Sequence, residues 1–325
     1  MSVRIYVSQY KNQRAITIES ERIAAQFLPG IGAKLASLIY KPLGFEVLVQ
    51  KPWKEYRVQP YDGNYVAGEC SGLDDMFPTI DECYYESYPW KGTRLPDHGE
   101  VWSLPWDLTV ERERLCFVTH GVRFPYRLEK RVSLVGEGTL HFAYQLTNLS
   151  PFEFAFMWAA HPMINLEEGA ELVLPSGVKE IVTVLSQDDA LGTYGDHFTW
   201  PVAKLPDGQE WDLRWMKPKS ARRFAKYFVR GRMPEGWCAL KYHRSNLTLV
   251  LSFPVDRVPY LGILPNEGGW DDLYNIFLEP GTAPLDRIDV ARLHHQLSTV
   301  PGKGTYEWYL DITLLNGTGF TGLNK

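Results

Sequence analysis

Hydrophobic and polar residues alternate with a period of two in several stretches of this chain, which limits the folds that it can adopt. Leu140, Phe142, Tyr144 and Leu146 alternate with smaller or more polar residues, and positions 247–253 and 308–314 show the same pattern. Successive side chains of a β-strand point to opposite faces, so the pattern predicts half-buried strands. Clusters of turn residues separate these stretches: Gly136-Glu-Gly138, Pro206-Asp-Gly208, Gly268-Gly269 and Gly302-Lys-Gly304.

The sequence contains no repeat, low-complexity tract or linker that would divide it into separate domains. Its 325 residues are enough for one large hydrophobic core. Positions 18–27 imitate a helix best, yet we interpret them as a pair of strands. The prediction is therefore an all-β protein, with residues 1–325 forming a single antiparallel β-sandwich with long loops.

Charge and cysteine spacing limit the partners and the compartment that we expect. The net charge is −5, so the chain lacks the basic surface that nucleic acid requires. No apolar stretch is long enough for a transmembrane helix and the first residues have no signal-peptide core, so we expect a cytoplasmic protein without membrane contacts. Four cysteines without Cys-x-x-Cys spacing are expected to be free thiols: Cys70, Cys83, Cys116 and Cys238.

Aromatic residues that carry a hydrogen-bond donor are abundant, with 11 Trp and 18 Tyr. Such rings suit the C–H faces and the hydroxyls of sugars, although most of them are expected to belong to the core.

One histidine and one glutamate follow apolar stretches that resemble buried strands. His161 comes after Phe154-Ala-Phe-Met-Trp158, and Glu279 comes after Tyr274-Asn-Ile-Phe-Leu278. A carboxylate is costly to bury without a purpose or a partner. If each residue lies at the end of its strand, the two can meet in one pocket as an acid and a base.

Several motifs occur together in an order that resembles the aldose 1-epimerase, or galactose mutarotase-like, family. His161-Pro-Met-Ile-Asn-Leu166 is similar to its His-Pro-x-x-Asn-Leu motif, and Glu279-Pro280 to its Glu-Pro motif. Asp75-Met-Phe-Pro78 and Asp97-His-Gly-Glu-Val-Trp-Ser-Leu-Pro-Trp106 resemble its Phe-Pro and His-Gly segments. The resemblance implies the large, twisted supersandwich of galactose mutarotase and interconversion of the α and β anomers of a sugar.

Roles for individual residues follow from the same resemblance. Glu279 matches the base that deprotonates the C1 hydroxyl, and His161 matches the acid that protonates the ring oxygen. His98 matches a histidine that places the sugar, and Asp196 is a candidate for the sugar-binding aspartate. We expect His161 to be substantially protonated in the complex, which a nearby carboxylate would favour.

We expect neither a cofactor nor a metal. The spacing of Asp74-Asp75 and Asp81-Glu82 fits no calcium loop and has no histidine partners. Gly30-Ile-Gly32 lacks the third glycine and the following helix of a nucleotide-binding loop.

Two departures from the family motifs bear on the substrate. Trp102 stands where the branch that acts on hexose 6-phosphates has an arginine, so a sugar phosphate lacks a cationic partner there, whereas a neutral sugar can stack on the ring. The Asn-Arg pair of the galactose-specific branch is also missing, and Arg94 is the residue that could replace its arginine in space.

The expected activity is therefore that of an aldose 1-epimerase acting on an unphosphorylated free sugar, in a monomer or homodimer. A carbohydrate-binding sandwich without turnover is the alternative. An accessory domain of a glycoside hydrolase or lyase is a third possibility, but it calls for paired carboxylates, and Glu279 is the one convincing candidate.

Overall fold

The computed structural model describes residues 2–205 and 207–323, so Pro206 of the predicted 206–208 turn lies outside it. Within these residues the regular secondary structure is almost entirely β, with one short helix, α1 (Ile288–Leu293), and three 3-10 turns at Lys41–Leu43, Gln187–Asp189 and Lys219–Ala221. The strands are β1 Arg4–Tyr10, β2 Gln13–Glu19, β3 Ile23–Leu28, β4 Lys34–Tyr40, β5 Phe45–Glu46, β6 Leu73–Met76, β7 Cys83–Tyr84, β8 Arg94–Leu95, β9 Asp107–Glu111, β10 Arg114–His120, β11 Tyr126–Val135, β12 Thr139–Asn148, β13 Phe154–Phe156, β14 Ala159–Asn165, β15 Glu171–Val173, β16 Glu180–Ser186, β17 His197–Thr199, β18 Val202–Lys204, β19 Glu210–Asp212, β20 Arg223–Val229, β21 Trp237–Tyr242, β22 Leu247–Ser252, β23 Tyr260–Glu267, β24 Tyr274–Gly281, β25 Ser298–Val300 and β26 Thr305–Asn316.

Two large antiparallel sheets make up the body of the protein. The first has twelve strands, in the order β1-β2-β3-β4-β6-β14-β24-β23-β20-β16-β17, with β5 paired to β4. The second has eight, in the order β15-β21-β22-β26-β12-β11-β10-β9. Three two-stranded ribbons, β7-β8, β13-β25 and β18-β19, complete the topology of the described residues.

The hydrophobic core lies between the two sheets. Phe27 of the first sheet packs against Phe117 and Phe142 of the second, with ring centroids 5.6 and 6.1 Å apart. Trp158 and Trp308 meet in the same layer at 5.2 Å. Along β12 buried and half-buried residues alternate without interruption, as a strand with one face in the core requires.

The predicted all-β sandwich is confirmed, and the strand pair expected at 18–27 corresponds to parts of β2 and β3. The periodic stretches at 140–146, 247–253 and 308–314 lie in β12, β22 and β26, apart from Phe253, which follows β22 directly. All four cysteines are free and buried. In the part of the chain that the structure describes, no helix is long and apolar enough to cross a membrane.

The two adjacent aspartates of β6 face opposite sides of the first sheet, and each pairs with a buried lysine. Asp75 accepts hydrogen bonds from Lys130 Nζ at 2.7 Å and from Trp158 Nε1 at 3.0 Å inside the core. Asp74 pairs with Lys34 Nζ at 2.9 Å. Because the strand period is two, the dipeptide places one carboxylate in the core and the other on the face that carries the site described below.

Lys130→Met is expected to lower the free energy of unfolding by about 3 kcal/mol, because it leaves the Asp75 charge buried without its ion partner. Urea denaturation monitored by tryptophan fluorescence measures this loss. Lys219→Met, which removes an exposed partner of Asp272, is the control and should cost far less. Equal losses in the two variants would contradict the account of the buried pair.

Candidate active site

His161 and Glu279 lie on neighbouring strands at the centre of the twelve-stranded sheet. The β14–β24 register pairs Ala159 with Gly281 and Met163 with Phe277, which brings His161 opposite Glu279. His161 Nε2 is 3.4 Å from Glu279 Oε1. Both residues lie inside their strands, whereas the sequence had suggested that they lie at the strand ends. Their meeting therefore depends on strand register.

Glu279 is almost completely buried beneath a lysine. Its Oε2 lies 3.1 Å from Lys226 Nζ, and the same ammonium is 2.9 Å from Asp286 Oδ2. Gly262 is the β23 partner of Glu279, and a Cβ at that position would come within 3.0 Å of Glu279 Oε2. The missing side chain of Gly262 thus leaves the space that the carboxylate occupies.

A cavity of about 360 Å³ opens beside these groups. Its polar lining includes His98, His161, Lys226, Asp81 and Asp286. The remaining lining is mainly apolar or aromatic and comprises Tyr65, Val66, Cys70, Ile80, Val184, Leu185, Phe224, Leu264, Trp270 and Phe277. A concave site with apolar walls and a few convergent polar groups is the usual setting for a small ligand.

His98 reaches this cavity from the loop after β8. It has a left-handed backbone with φ of 60°, and Gly99 follows with φ of 75°. A side chain at Gly99 would overlap the backbone of Phe77, so the turn requires glycine there. The His98 ring centroid is 5.3 Å from that of His161, and His98 Nδ1 is 2.9 Å from Asp97 Oδ1. A strained non-glycine residue in a cavity wall is typical of functional sites.

Tyr65 joins the two histidines. Its ring stacks on His98 with centroids 4.1 Å apart and an interplanar angle of 10°. Its hydroxyl donates a hydrogen bond to Asp74 Oδ2 at 2.9 Å and lies 3.3 Å from His161 Nδ1.

Burial lowers the pKa of His161 well below its ordinary value, and the nearby Lys226 and Lys34 ammonium groups act in the same direction. The imidazole is therefore neutral at neutral pH. This result differs from the protonated state expected for the complex, because desolvation and the two lysines outweigh the nearby carboxylate.

The cavity carries more negative than positive groups. Burial raises the pKa of Asp81, and the charge of Asp286 raises it further; burial raises the pKa of Asp286 as well, while Lys226 opposes that shift. Burial disfavours the charge on Lys226, but the carboxylates of Asp286 and Glu279 outweigh burial and raise its pKa. One ammonium thus faces three carboxylates, with Asp286 Oδ1 buried and without a hydrogen-bond partner among the described residues.

Three residues predicted to bind the sugar do not line this cavity. Trp102 is buried behind Tyr65, with ring centroids 5.1 Å apart, so another ring separates it from the cavity. Arg94 is held in ion pairs with Asp62 and Glu82. Asp196 lies in an exposed turn, where its carboxylate accepts hydrogen bonds from the backbone and hydroxyl of Thr193.

Sequence reasoning missed Tyr65, Lys226 and Asp286. Tyr65 lies in the long segment between β5 and β6, and Lys226 lies in a region that carries no family motif. Asp286 follows the Glu279-Pro280 motif by a few residues, and Leu285 and Asp286 both have positive φ, at 66° and 63°. A charged residue within the apolar strand at 224–229 was the one available signal for Lys226.

No group of three or more His, Cys, Asp or Glu side chains within residues 2–205 and 207–323 is arranged to hold a metal ion. Burial raises the pKa of the cavity residue Cys70 to about 11, so its thiol is uncharged at neutral pH.

Comparison with solved structures identifies the architecture. The Slr1438 protein of Synechocystis matches 96% of this chain and 99% of its own, with a TM-score of 0.71 and 17% identity. A "putative aldose 1-epimerase" of Klebsiella pneumoniae matches 98% of this chain and 85% of its own, with a TM-score of 0.73 and 13% identity. A galactose mutarotase-like protein of Lactobacillus casei matches 93% of this chain and all of its own, with a TM-score of 0.66 and 17% identity.

The chain has the galactose mutarotase-like fold. No protein-family model and no curated protein matches the sequence. At this identity the comparisons establish the fold, and the activity has to be argued from the site.

The lowered pKa of His161 predicts a pH-dependent loss of stability. The unfolded chain takes up a proton at this histidine below about pH 6.5, whereas the folded protein does not, so stability is lost as the pH falls. His161→Asn should remove this contribution, about 1.4 kcal/mol per pH unit below 6.5. Urea denaturation of both proteins between pH 7.5 and 5.5 measures the difference, and parallel pH profiles would refute the shift.

Proposed function

We propose that this protein is an aldose 1-epimerase that interconverts the α and β anomers of an unphosphorylated free sugar. The observation that carries the proposal is the approach of His161 Nε2 to within 3.4 Å of Glu279 Oε1 beside a cavity that His98 also lines. A histidine and a carboxylate at this separation can act on two oxygens attached to the same carbon atom. The putative-epimerase and mutarotase-like names of several structural neighbours support the same reaction.

In the proposed reaction Glu279 removes the proton from the C1 hydroxyl while His161 donates a proton from Nε2 to the ring oxygen. The bond between C1 and the ring oxygen breaks, and the aldehyde at C1 rotates. The same steps in reverse close the ring as the other anomer. His161 must hold a proton at Nε2 in the complex, and the adjacent Glu279 carboxylate is the group that favours this charged form.

Lys226 and Asp286 are suited to hold the hydroxyls of the sugar. The unpartnered Asp286 Oδ1 can accept a hydrogen bond, and the Lys226 ammonium has a third N–H beyond its contacts with Glu279 and Asp286. Neighbouring sugar hydroxyls present one donor and one acceptor to such a pair. We therefore propose these two residues, with His98, as the polar contacts of the substrate.

The test is acceleration of anomer exchange, followed by polarimetry or saturation-transfer NMR on fresh α-glucose, α-galactose and other aldoses with a chelator present. Glu279→Gln should lower the rate on the order of 10²- to 10⁴-fold, because the amide cannot accept the C1 proton. His161→Asn should produce a loss of similar size. The matched controls Glu129→Gln and His141→Asn change residues of the second sheet and should keep the wild-type rate. A near wild-type rate for Glu279→Gln would remove Glu279 from the mechanism.

One observation favours a second candidate, a sugar-binding protein without turnover. Lys226 covers Glu279, whose side chain is only 1% exposed, so the base has no direct access to the cavity in this conformation. Sugar binding measured by calorimetry, without acceleration over the buffer rate for any aldose, would establish this alternative. The cytoplasmic location and the monomeric or homodimeric state remain predictions from the sequence.

The free sugar is expected to give a kcat/KM at least about tenfold higher than its 6-phosphate, because three carboxylates oppose a phosphate dianion and a single lysine attracts it. Two of these carboxylates, Asp81 and Asp286, line the cavity, and the third, Glu279, lies behind Lys226; Trp102 does not line the cavity. Exchange rates of glucose and galactose are compared with those of their 6-phosphates. The difference should narrow at high ionic strength, where charge repulsion is screened. A preference for either phosphate would contradict this substrate class.

A further inference from the structure

A buried tyrosine links the candidate acid to a second carboxylate on the side away from Glu279. We propose that Tyr65, anchored by Asp74 and Lys34, is a positioning residue that fixes His161 in the tautomer with its proton on Nδ1, so that Nε2 faces Glu279 as the nitrogen that exchanges protons. The effect on turnover rests on the proposed function, whereas the tautomer itself does not.

Strand pairing sets the geometry of this chain of contacts. Asp74 of β6 is the direct register partner of His161 of β14, so both side chains lie on the same face of the sheet. The Tyr65 hydroxyl lies between them, 2.9 Å from Asp74 Oδ2 and 3.3 Å from His161 Nδ1. Lys34 Nζ lies 2.9 Å from the same Asp74 oxygen. All four residues are buried.

The direction of each hydrogen bond follows from the number of protons available. Burial raises the pKa of Asp74, while the Lys34 ammonium 2.9 Å away opposes that shift and pairs with the ionised carboxylate. An ionised carboxylate only accepts, so the single phenol proton of Tyr65 points to Asp74.

The phenol oxygen then has only a lone pair to offer to His161, and Nδ1 supplies the proton across 3.3 Å. Glu279 Oε1 is the competing acceptor for a proton on Nε2, but it is farther away, at 3.4 Å, and its carboxylate already pairs with Lys226. A neutral imidazole carries one N–H, so Nε2 holds the lone pair toward Glu279.

Packing holds Tyr65 in the orientation that these bonds need. Its ring stacks on His98, meets His161 edge-on at 5.4 Å and is backed by Trp102 at 5.1 Å. Burial raises the pKa of Tyr65 well above its ordinary value, and the charge of Asp74 adds to the effect, so the phenol keeps its proton. Trp102 thereby acts on the site through Tyr65.

A fixed tautomer matters because a histidine acid must gain and lose its proton at the nitrogen that faces the substrate. With Nδ1 already protonated, the proton that converts His161 to an imidazolium enters and leaves at Nε2. If Nδ1 loses its acceptor, the tautomer protonated at Nε2 becomes accessible, and His161 donates a hydrogen bond to Glu279 when it should exchange a proton with the sugar. A substrate that still binds would then react more slowly. The expected signature is a lower kcat with little change in KM.

The direct test is 15N NMR of the histidine side chains in ligand-free protein, with the His161 signals assigned by their loss in His161→Asn. In the wild type Nδ1 should show the shift of a protonated nitrogen and Nε2 that of an unprotonated one. Tyr65→Phe keeps the ring but removes the hydroxyl, and the two shifts should move toward each other or exchange. Unchanged shifts in Tyr65→Phe would overturn the proposal.

Two further variants make the test specific. Tyr242→Phe removes a buried hydroxyl that donates to Asn165 O, on the same strand as His161 but outside the cavity, and should leave the His161 shifts and the rate unchanged. Asp74→Leu removes the acceptor of the Tyr65 hydroxyl, which can then donate to His161 Nδ1 and should favour the proton on Nε2. Asp74→Leu with wild-type shifts would also refute the assignment.

Kinetic measurements test separately whether the tautomer of His161 affects turnover. Tyr65→Phe should lower kcat about 10- to 100-fold, less than the loss of a positioned acid itself, with KM within about twofold of wild type. A shifted tautomer with unchanged kcat would overturn the role in turnover. If the wild-type protein accelerates no sugar, the proposed function fails, whereas the NMR comparison still decides whether Tyr65 sets the tautomer.

Discussion

The pairing of β14 with its two neighbours, β6 and β24, is the constraint on which the rest of the site depends. It places Asp74, His161 and Glu279 side by side across three central strands, and Gly262 continues the same row on β23. A slip of one residue would turn His161 away from both carboxylates. Lysines close the two ends of the row, Lys34 beside Asp74 and Lys226 beside Glu279. Because each buried carboxylate in the row has a lysine beside it, the free-energy cost of burying these charges in the sheet is reduced.

Residues in loops complete the site that the central strands form, and several of these residues have strained backbones. The cavity residues His98 and Asp286 have left-handed backbones, as does Leu285 next to Asp286, although none of them is glycine. The surrounding structure holds them there: His98 N donates to Ile80 O, and the backbone amides of Ile80 and Asp81 both donate to Asp286 O. Each bond joins two loop segments at the cavity wall. Strain that the fold retains at one cavity, from two separate loops, points to a site whose geometry matters more than its local stability.

More of the fold than of the site could be predicted from the sequence. Alternation in β12 and β26 identified half-buried strands, because one face of each is less buried than the other. The central strands β14 and β24 are buried on both faces, so their sequences carry no alternation from which side-chain direction could be inferred. His161 and Glu279 were found through their motifs. Trp102 was assigned by its motif position, and Arg94 was suggested as a spatial replacement for a missing arginine. Their orientations depend instead on contacts with Tyr65, for Trp102, and with Asp62 and Glu82, for Arg94.

The arrangement of the site keeps the candidate acid and base apart from solvent, and it keeps the acid without the proton that it must donate. Glu279 lies beneath Lys226, and His161 is neutral, with its Nε2 directed at Glu279. In the proposed function, a sugar hydroxyl that takes over one contact of Lys226 would uncover the carboxylate. Glu279, no longer neutralised by the ammonium, would then favour a proton on His161. Substrate binding would thus prepare both groups at once, through a lysine that no family motif had marked.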